Sequence, residues 1–185
     1  GDTVHYLVSK GRIVIYDAEH AFDGFKHDSK YAMQTLLAAQ KAGAQTIVLC
    51  DTNGGTLFPE IGKVVATVAK RLRVGIGIHT HNDTGVAVAN SLAAVYAGAS
   101  HVQGTINGFG ERAGNCDLTT VIADLAFKLK RDSVPESSLK QLCELSRFVD
   151  EIANLSPNTR QPVVGFSVFA HKGGMHVNAV NKCSA

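Results

Sequence analysis

The stretch VGIGIHTHND (residues 74–83) joins an apolar strand pattern to a cluster of polar side chains. Residues 74–79 are rich in β-branched residues, which predicts a strand. His79 and His81 are two positions apart, so their side chains point to the same face of an extended chain. Two imidazoles about 6–7 Å apart along a strand can converge on one divalent cation. A second motif, GFGERAGN (residues 108–115), ends in Asn115. We predict that Asn115, on the next strand, completes the same metal site with an amide oxygen.

The pattern of a short apolar strand followed by a helix occurs four times. The other strands are predicted at RIVIYD (residues 12–17), TIVLCD (residues 46–51) and HVQGTI (residues 101–106), and the four helices within residues 31–43, 57–72, 84–98 and 115–130. A weak internal repeat relates residues 41–55 to residues 96–110. This alternation predicts a parallel sheet with right-handed crossovers, either open or closed into a barrel. No G-x-G-x-x-G motif follows a strand, which weakens the reading as an open dinucleotide-binding sheet.

The polar residues that follow each strand favour the barrel. They are Glu19 after the first strand, Asp51, Thr52 and Asn53 after the second, His79 and His81 after the third, and residues 107–115 after the fourth. Catalytic groups at the C-terminal ends of successive strands are typical of a TIM barrel. We therefore predict an α/β fold in which residues 1–131 form the C-terminal half of a (β/α)8 barrel, with the first half upstream.

Residues 132–185 have a different pattern and are predicted to begin a helical accessory segment. Within them, residues 137–156 predict one amphipathic helix after Pro135. Its expected buried side chains are Leu139, Leu142, Cys143, Leu145, Phe148, Val149 and Ile152. The remainder is glycine-bearing and contains two histidines, His171 and His176. At the other end of the chain, the residues before Arg12 resemble a connecting segment.

Composition narrows the function classes. Eighteen Lys and Arg residues face sixteen Asp and Glu residues, for a net charge of +2, and no basic stripe marks a nucleic-acid partner. No apolar run reaches the length of a membrane span, and no signal peptide is present, so we expect a cytoplasmic protein without a membrane partner. The four cysteines lack C-x-x-C spacing and are expected to be reduced and mostly buried thiols.

The stretch HTHNDTGVAVANSLAAVYAGASHVQGTINGFGERAGNCDL (residues 79–118) resembles the Claisen-condensing acyltransferases. That family includes the isopropylmalate, homocitrate and citramalate synthases, and its members are TIM-barrel metalloenzymes related to HMG-CoA lyase. YDAEHAFDGFK (residues 16–26), DTNGG (residues 51–55) and FAHKGGMHVNAV (residues 169–180) look most like the citramalate synthase branch. The resemblance implies that a homodimer condenses acetyl-CoA with a 2-oxo acid, pyruvate in that branch, in isoleucine and leucine biosynthesis.

The resemblance also implies roles for individual residues. His79, His81 and Asn115 match three ligands of a divalent metal, for which Mg, Mn, Zn and Co all suit mixed nitrogen and oxygen donors. The family's fourth ligand, an Asp, and the neighbouring Arg belong to a motif that this sequence does not contain. Two residues are implied to be catalytic: His176 as the base, acting in the barrel of a neighbouring subunit, and Glu19 near the substrate. Thr52 and Asn107 are implied to bind the substrate.

Each role has a structural alternative. Glu19 would otherwise be a solvated loop carboxylate, Thr52 a helix cap and His176 part of a glycine turn. Asn82 and Asp83 are expected to cap the helix that begins near Thr84 and to hold the histidines in orientation. Glu111 and Arg112 are expected to pair with one another or with other loops.

Competing functions remain open at this point. A hydroxymethylglutaryl-thioester lyase of the same superfamily would carry a catalytic cysteine in the glycine loop before Asn115, and GFGERAGN has none. Isopropylmalate and homocitrate synthesis remain alternatives, because most specificity residues lie upstream. A half barrel without activity is the third alternative, since the metal site lacks its anionic ligand here. We expect this chain alone to be inactive.

Overall fold

Four parallel strands, each followed by a helix, form the centre of the protein. The computed structural model describes residues 1–168 and 170–182, with His176 and Asn181 described by their backbone alone. The strands are β1 (Ile15–Ala18), β2 (Thr46–Asp51), β3 (Gly75–Thr80) and β4 (His101–Gln103), and they lie in the order β1-β2-β3-β4. All neighbouring pairs are parallel, as predicted. The C-terminal ends of the strands therefore meet at one edge of the sheet.

Eight α-helices accompany the strands in the described residues. They are α1 (Asp2–Ser9), α2 (Ala21–Lys41), α3 (Phe58–Ala69), α4 (Ala87–Tyr96), α5 (Leu118–Ala123), α6 (Glu136–Leu139), α7 (Leu142–Ile152) and α8 (Gly174–Lys182). A π-helical turn, Asp124–Lys128, continues α5. The segment before Arg12 was predicted to be a connection, and this prediction is wrong, because residues 2–9 are helical. Val4 of α1 is buried and fixes one side of that helix in the core.

The hydrophobic core lies between one face of the sheet and the helices. Side chains alternate along each strand, so Ile47 and Leu49 of β2 point to the same face as Ile76 and Ile78 of β3. These four residues are at most 5% exposed. The residues that cover them are Leu36 of α2 and Ile61, Val65 and Val68 of α3. The alternate residues, among them Asp17, Val48, Gly77 and His79, point to the opposite, inner face.

Helix α2 begins ten residues earlier than predicted, at Ala21. Its backbone leaves the helical region at Asp28, where φ is −148° and ψ is 93°. The carboxylate of Asp28 accepts hydrogen bonds from the backbone N–H groups of Lys30 and Tyr31, each 3.0 Å long. Asp28 thus caps the second half of the helix, which is the part that the sequence pattern predicted. The first half, from Ala21, buries Phe22.

Strand β4 ends three residues earlier than predicted, and this shortening shapes the site. A 3-10 turn follows at Ile106–Gly108, with Asn107 and Gly108 both at positive φ (62° and 72°). Thr105, inside the predicted strand, pairs with Asp117 instead of with β3. The chain leaves the sheet here and enters the loop that leads to Asn115.

The chain divides into two compact units, Gly1–Val121 and Ile122–Ala185. In the second unit the predicted single helix is two helices, α6 and α7, because the chain turns at Lys140 and Gln141. The predicted buried side is also wrong for Cys143, Leu145, Phe148 and Ile152, which are exposed. The buried line of α7 instead runs through Leu142, Ser146 and Asp150. Periodicity alone does not select which face of a helix is covered. The predicted boundary at residue 131 stays a prediction.

No helix among the described residues has the length and apolar character needed to cross a membrane.

A first prediction concerns the inner face of the sheet at Gly77. A Cβ atom at Gly77 would lie 2.7 Å from Cγ2 of Val48 and 3.0 Å from Cδ2 of His101. We expect Gly77→Ala to lower the free energy of unfolding of the intact protein by about 1–3 kcal/mol, because the packed neighbours must shift. Urea denaturation followed by circular dichroism measures this change.

The matched control is Gly62→Ala in α3, where an added Cβ meets nothing within 4 Å. This substitution should raise stability by about 0.5–1 kcal/mol, because alanine restricts the unfolded chain. Equal effects of the two substitutions would contradict the close packing described around Gly77.

Candidate metal and substrate site

The two histidines of the HTHND motif lie together where β3 ends. His79 is in β3, and His81 is the first residue after this strand. Their ring centroids are 5.1 Å apart. His81 pairs with Asn115 in an isolated antiparallel bridge. The structure thus brings together all three residues that the sequence analysis assigned to the metal. Asn115, however, belongs to a returning loop rather than to the next strand.

Glycines allow this loop to fold back against β3. Gly114 has a φ of +97°, and the N–H of Asn115 donates to the carbonyl of Gly108 over 2.9 Å. A Cβ at Gly110 would lie 2.8–3.0 Å from the side-chain atoms of Asn115. Side chains larger than hydrogen at these positions would displace Asn115. The glycine-rich motif is therefore the local reason why Asn115 lies opposite His81.

Two polar atoms of the site are buried without a hydrogen-bond partner, which fits a site for a divalent cation. Nδ1 of His81 and Oδ1 of Asn115 are buried and have no hydrogen-bond partner among the described residues. Leaving a polar group buried without a partner costs about 1–3 kcal/mol, so a ligand that pairs with both atoms would be favoured. Burial, followed by the neighbouring charge of His79, lowers the pKa of His81, which favours the neutral ring that a metal binds. Two imidazoles and one amide suit Mn, Co or Zn.

The fit is incomplete with respect to charge. Within the described ranges, no group of three or more His, Cys, Asp or Glu side chains is close enough to hold a metal. The three donors at hand are neutral, so a bound anionic substrate would be needed to balance the cation's charge.

A second polar cluster joins the loops after β1 and β2. The hydroxyl of Thr52 donates to Oε2 of Glu19 over 2.7 Å and accepts from the backbone N–H of His20, also over 2.7 Å. His20 has a positive φ of 54°, which turns the chain directly after Glu19. Glu19 and Thr52, predicted separately as catalytic and substrate-binding residues, therefore lie in direct contact. Thr52 does not cap α3, whose first turn lacks a side-chain cap.

Arg112 connects three loops. Its guanidinium donates to both carboxylate oxygens of Asp83, over 2.7 and 2.9 Å, and to the carbonyl of Thr52 over 2.7 Å. The hydrogen bonds from Arg112 lower the pKa of Asp83. Arg112 pairs with another loop, one of the two predicted outcomes, while its nearest approach to Glu111 is 3.9 Å.

Of the two residues predicted to cap α4, one accepts a hydrogen bond from that helix. Oδ1 of Asn82 accepts from the N–H of Ala87, the first residue of α4, over 3.1 Å. Asn82 therefore caps this helix, which begins at Ala87 rather than near Thr84. The capping prediction is wrong for Asp83, because its carboxylate is held by Arg112. Asn107 lies in the turn directly after β4, at the same edge of the sheet as the other site residues.

The predicted base lies on α8. His176 belongs to this helix by its backbone, and its side chain lies outside the described part of the chain. Its role therefore stays a prediction.

Sequence reasoning missed two inner-face residues, Gln103 and Asp17. Oε1 of Gln103 contacts Nδ1 of His79 at 2.9 Å, and Nε2 of Gln103 donates to Asp17 over 3.0 Å. A polar residue in the middle of a predicted strand, two positions after His101, was the available signal. Register places Gln103 directly beside His79 on the neighbouring strand.

The cysteines near the site are structural. Burial raises the pKa of Cys116 to about 11, and its Sγ accepts a hydrogen bond from Ser91 over 3.2 Å. Burial, with the charges of Glu19 and Asp17, raises the pKa of Cys50 to about 12. Both thiols are therefore protonated at neutral pH and poor nucleophiles. Cys50, Cys116 and Cys143 are free thiols, and Cys143 is exposed.

A family model described as HMGL-like matches residues 2–149. The chain belongs to the HMGL-like family. This assignment confirms the fold prediction: the four β-α units form part of a TIM barrel. It also agrees with the position of the site at the C-terminal ends of the strands.

Two curated relatives refine the placement of this HMGL-like chain. It is 54% identical over 181 residues to the (R)-citramalate synthase of Geobacter sulfurreducens, covering 98% of this chain and 34% of that protein. It is 36% identical to the 2-isopropylmalate synthase of Pectobacterium atrosepticum, covering 96% of this chain and 34% of that protein. The chain thus spans about a third of the length of the curated relatives it matches.

A solved structure shows the same fold at low identity. The carboxyl transferase domain of Rhizobium etli pyruvate carboxylase, with pyruvate and biocytin, superposes with a TM-score of 0.66 at 20% identity. The match covers 82% of this HMGL-like chain and 26% of that chain.

Proposed function

We propose that the intact protein containing this chain condenses acetyl-CoA with a 2-oxo acid, namely pyruvate, to give citramalate and free CoA. The observation that carries the proposal is the convergence of His79, His81 and Asn115. Nδ1 of His81 and Oδ1 of Asn115 are buried there without a partner among the described residues. The higher identity to a citramalate synthase, 54% against 36% for an isopropylmalate synthase, supports pyruvate as the oxo acid. By the same resemblance, we assign the reaction to branched-chain amino-acid biosynthesis in the cytoplasm.

The reaction requires a new carbon–carbon bond. A base removes a methyl proton from acetyl-CoA, and the resulting carbanion attacks the ketone carbon of the oxo acid. The ketone oxygen takes up a proton to become a hydroxyl group, and water then cleaves the thioester to release CoA. His79, His81 and Asn115 would hold a divalent cation, which would supply a Lewis acid for the ketone oxygen.

The described residues supply positioning around that centre. Glu19 and Thr52 form one hydrogen-bonded unit, so the Thr52 hydroxyl is held at the C-terminal end of β2. Arg112 fixes the loop carbonyl of Thr52 and the Asp83 carboxylate together, which joins the loops after β2, β3 and β4. Asn82 caps α4 directly after His81 and so holds the loop of the histidines. We assign the base to His176 of the neighbouring subunit in a homodimer, by resemblance.

The experiment measures free CoA thiol released from acetyl-CoA by the intact protein. We expect release to depend on both pyruvate and an added divalent metal, and to stop when the metal is removed with a chelator. Turnover with 2-oxoisovalerate but not with pyruvate would move the assignment to isopropylmalate synthesis. Cleavage of a hydroxymethylglutaryl thioester without any condensation would instead indicate the lyase reaction.

A further inference from the structure

Three side chains form a hydrogen-bonded chain across the inner face of the sheet. Nδ1 of His79 lies 2.9 Å from Oε1 of Gln103, and Nε2 of Gln103 lies 3.0 Å from Oδ1 of Asp17. His79 and Gln103 are neighbours in register on β3 and β4. Asp17 comes from β1, at the opposite edge of the described sheet.

The chemistry of these groups fixes the direction of both bonds. A carboxylate only accepts hydrogen bonds, so the Gln103 amide must present its NH2 group to Asp17. Its carbonyl oxygen then faces His79 and also only accepts, so Nδ1 of His79 must carry the proton. In a neutral ring this leaves the lone pair on Nε2. The chain from Asp17 therefore determines which nitrogen of His79 is free to bind a ligand.

We propose that Gln103, anchored by Asp17, is a positioning residue that fixes the tautomer and the ring orientation of His79 for metal binding. This inference rests on the metal site of the proposed function. Ligating histidines commonly donate their other N–H to a fixed acceptor, and loss of that acceptor weakens metal binding about 10–100-fold. His81 shows the contrast, because its Nδ1 has no partner in the described structure.

The curvature of the sheet makes this chain possible. Neighbouring strands are about 4.8 Å apart, so two edge strands with two others between them would be about 14 Å apart in a flat sheet. A direct bond of 3.0 Å between Asp17 and Gln103 therefore requires a strongly concave inner face. Gly77, which is paired with Val48 and with His101, adds no side chain to this inner face.

The test uses the intact protein with Co²⁺ alone, without substrates. Gln103→Met removes the acceptor while keeping an unbranched side chain, and we expect it to weaken Co²⁺ binding about 10–100-fold. The double variant Asp17→Asn with Gln103→Glu keeps both hydrogen bonds, because the asparagine amide now donates to the glutamate. It should bind Co²⁺ no more weakly than the unsubstituted protein. Gln45→Met, at an exposed glutamine before β2, is the matched control and should leave binding unchanged.

Nitrogen NMR of ¹⁵N-histidine-labelled protein without metal gives a second readout that packing alone would not move. The His79 ring should be protonated at Nδ1 in the unsubstituted protein and in the double variant, and should lose this preference in Gln103→Met. If circular dichroism shows that Gln103→Met does not fold, the double variant decides. In that case, if the double variant binds Co²⁺ more than about tenfold more weakly than the unsubstituted protein, the proposal is overturned.

Folded Gln103→Met protein that binds Co²⁺ as tightly as the unsubstituted protein would refute the positioning role and leave the proposed function intact. Absence of Co²⁺ binding by the unsubstituted protein would overturn the metal site itself, and the positioning role with it.

Discussion

Replacing His79 by alanine is expected to weaken binding of Co²⁺ or Mn²⁺ to the intact protein by more than about 100-fold, beyond the loss caused by removing an orienting neighbour. Among the described residues, His79 and His81 are the two imidazoles assigned to the metal, and their ring centroids are 5.1 Å apart. Without His79, the remaining donors among the described residues are one imidazole and one amide oxygen, which are too few to hold a divalent ion firmly. Isothermal titration with the metal alone measures the effect.

A matched histidine is available as control. His27→Ala changes an exposed histidine of α2 and should leave the metal affinity unchanged. Circular dichroism must first show that the His79→Ala protein keeps its helical content. Metal affinity within about threefold of the unsubstituted protein would then exclude His79 as a ligand.

The second large effect is expected from His176→Ala, which should leave metal binding intact and lower condensation about 10²–10⁴-fold, the usual contribution of a positioned base. The reason is that the two histidines have separate roles: His79 binds the metal, and His176 removes the methyl proton of acetyl-CoA. CoA release and Co²⁺ titration on the same protein separate the two roles. His171→Ala, five residues earlier, is the matched control and should keep both properties. Equal loss of metal in His79→Ala and His176→Ala would refute the separate roles.

Subunit mixing tests whether His176 acts across a dimer. Consider a mixed dimer of one His79→Ala subunit and one His176→Ala subunit. If the base comes from the partner subunit, one of its two sites has both an intact metal centre and an intact base. If the base comes from the same subunit, neither site has both. Random mixing of the two inactive proteins should then restore about a quarter of the original activity, since half of the dimers are mixed and each has one working site of two. No recovery would place the base in the same subunit as the metal.

Local sequence patterns predicted the strands best where burial is complete. TIVLCD is an apolar run between two turns, and β2 occupies those six residues, Thr46–Asp51. HVQGTI carries a similar signal, but β4 ends at Gln103, and Thr105 pairs with Asp117 instead of with β3. The difference lies in a partner from the returning loop rather than in hydrophobicity.

The candidate site shows the same division between local and distant information. The two-residue spacing of His79 and His81 is local, and it correctly placed their rings side by side. The link between Asp17 and Gln103 joins residues 86 positions apart. No local sequence pattern predicts such a pair, because the contact depends on how strongly the sheet curves. Asp83 was assigned to the wrong partner for the same reason, since Arg112 comes from a loop 29 residues away.

The bond between Asp17 and Gln103 also has a consequence for the order of folding. Contacts between residues far apart in sequence form after the chain between them has been ordered, because closing a long loop costs entropy. The strands β2 and β3 and their helices lie within this loop. His79 is therefore oriented only when the last described strand has docked, and a nascent chain that ends before Gln103 has β3 without an oriented ligand. Competence to bind metal would arise at the end of folding, once the sheet is in place.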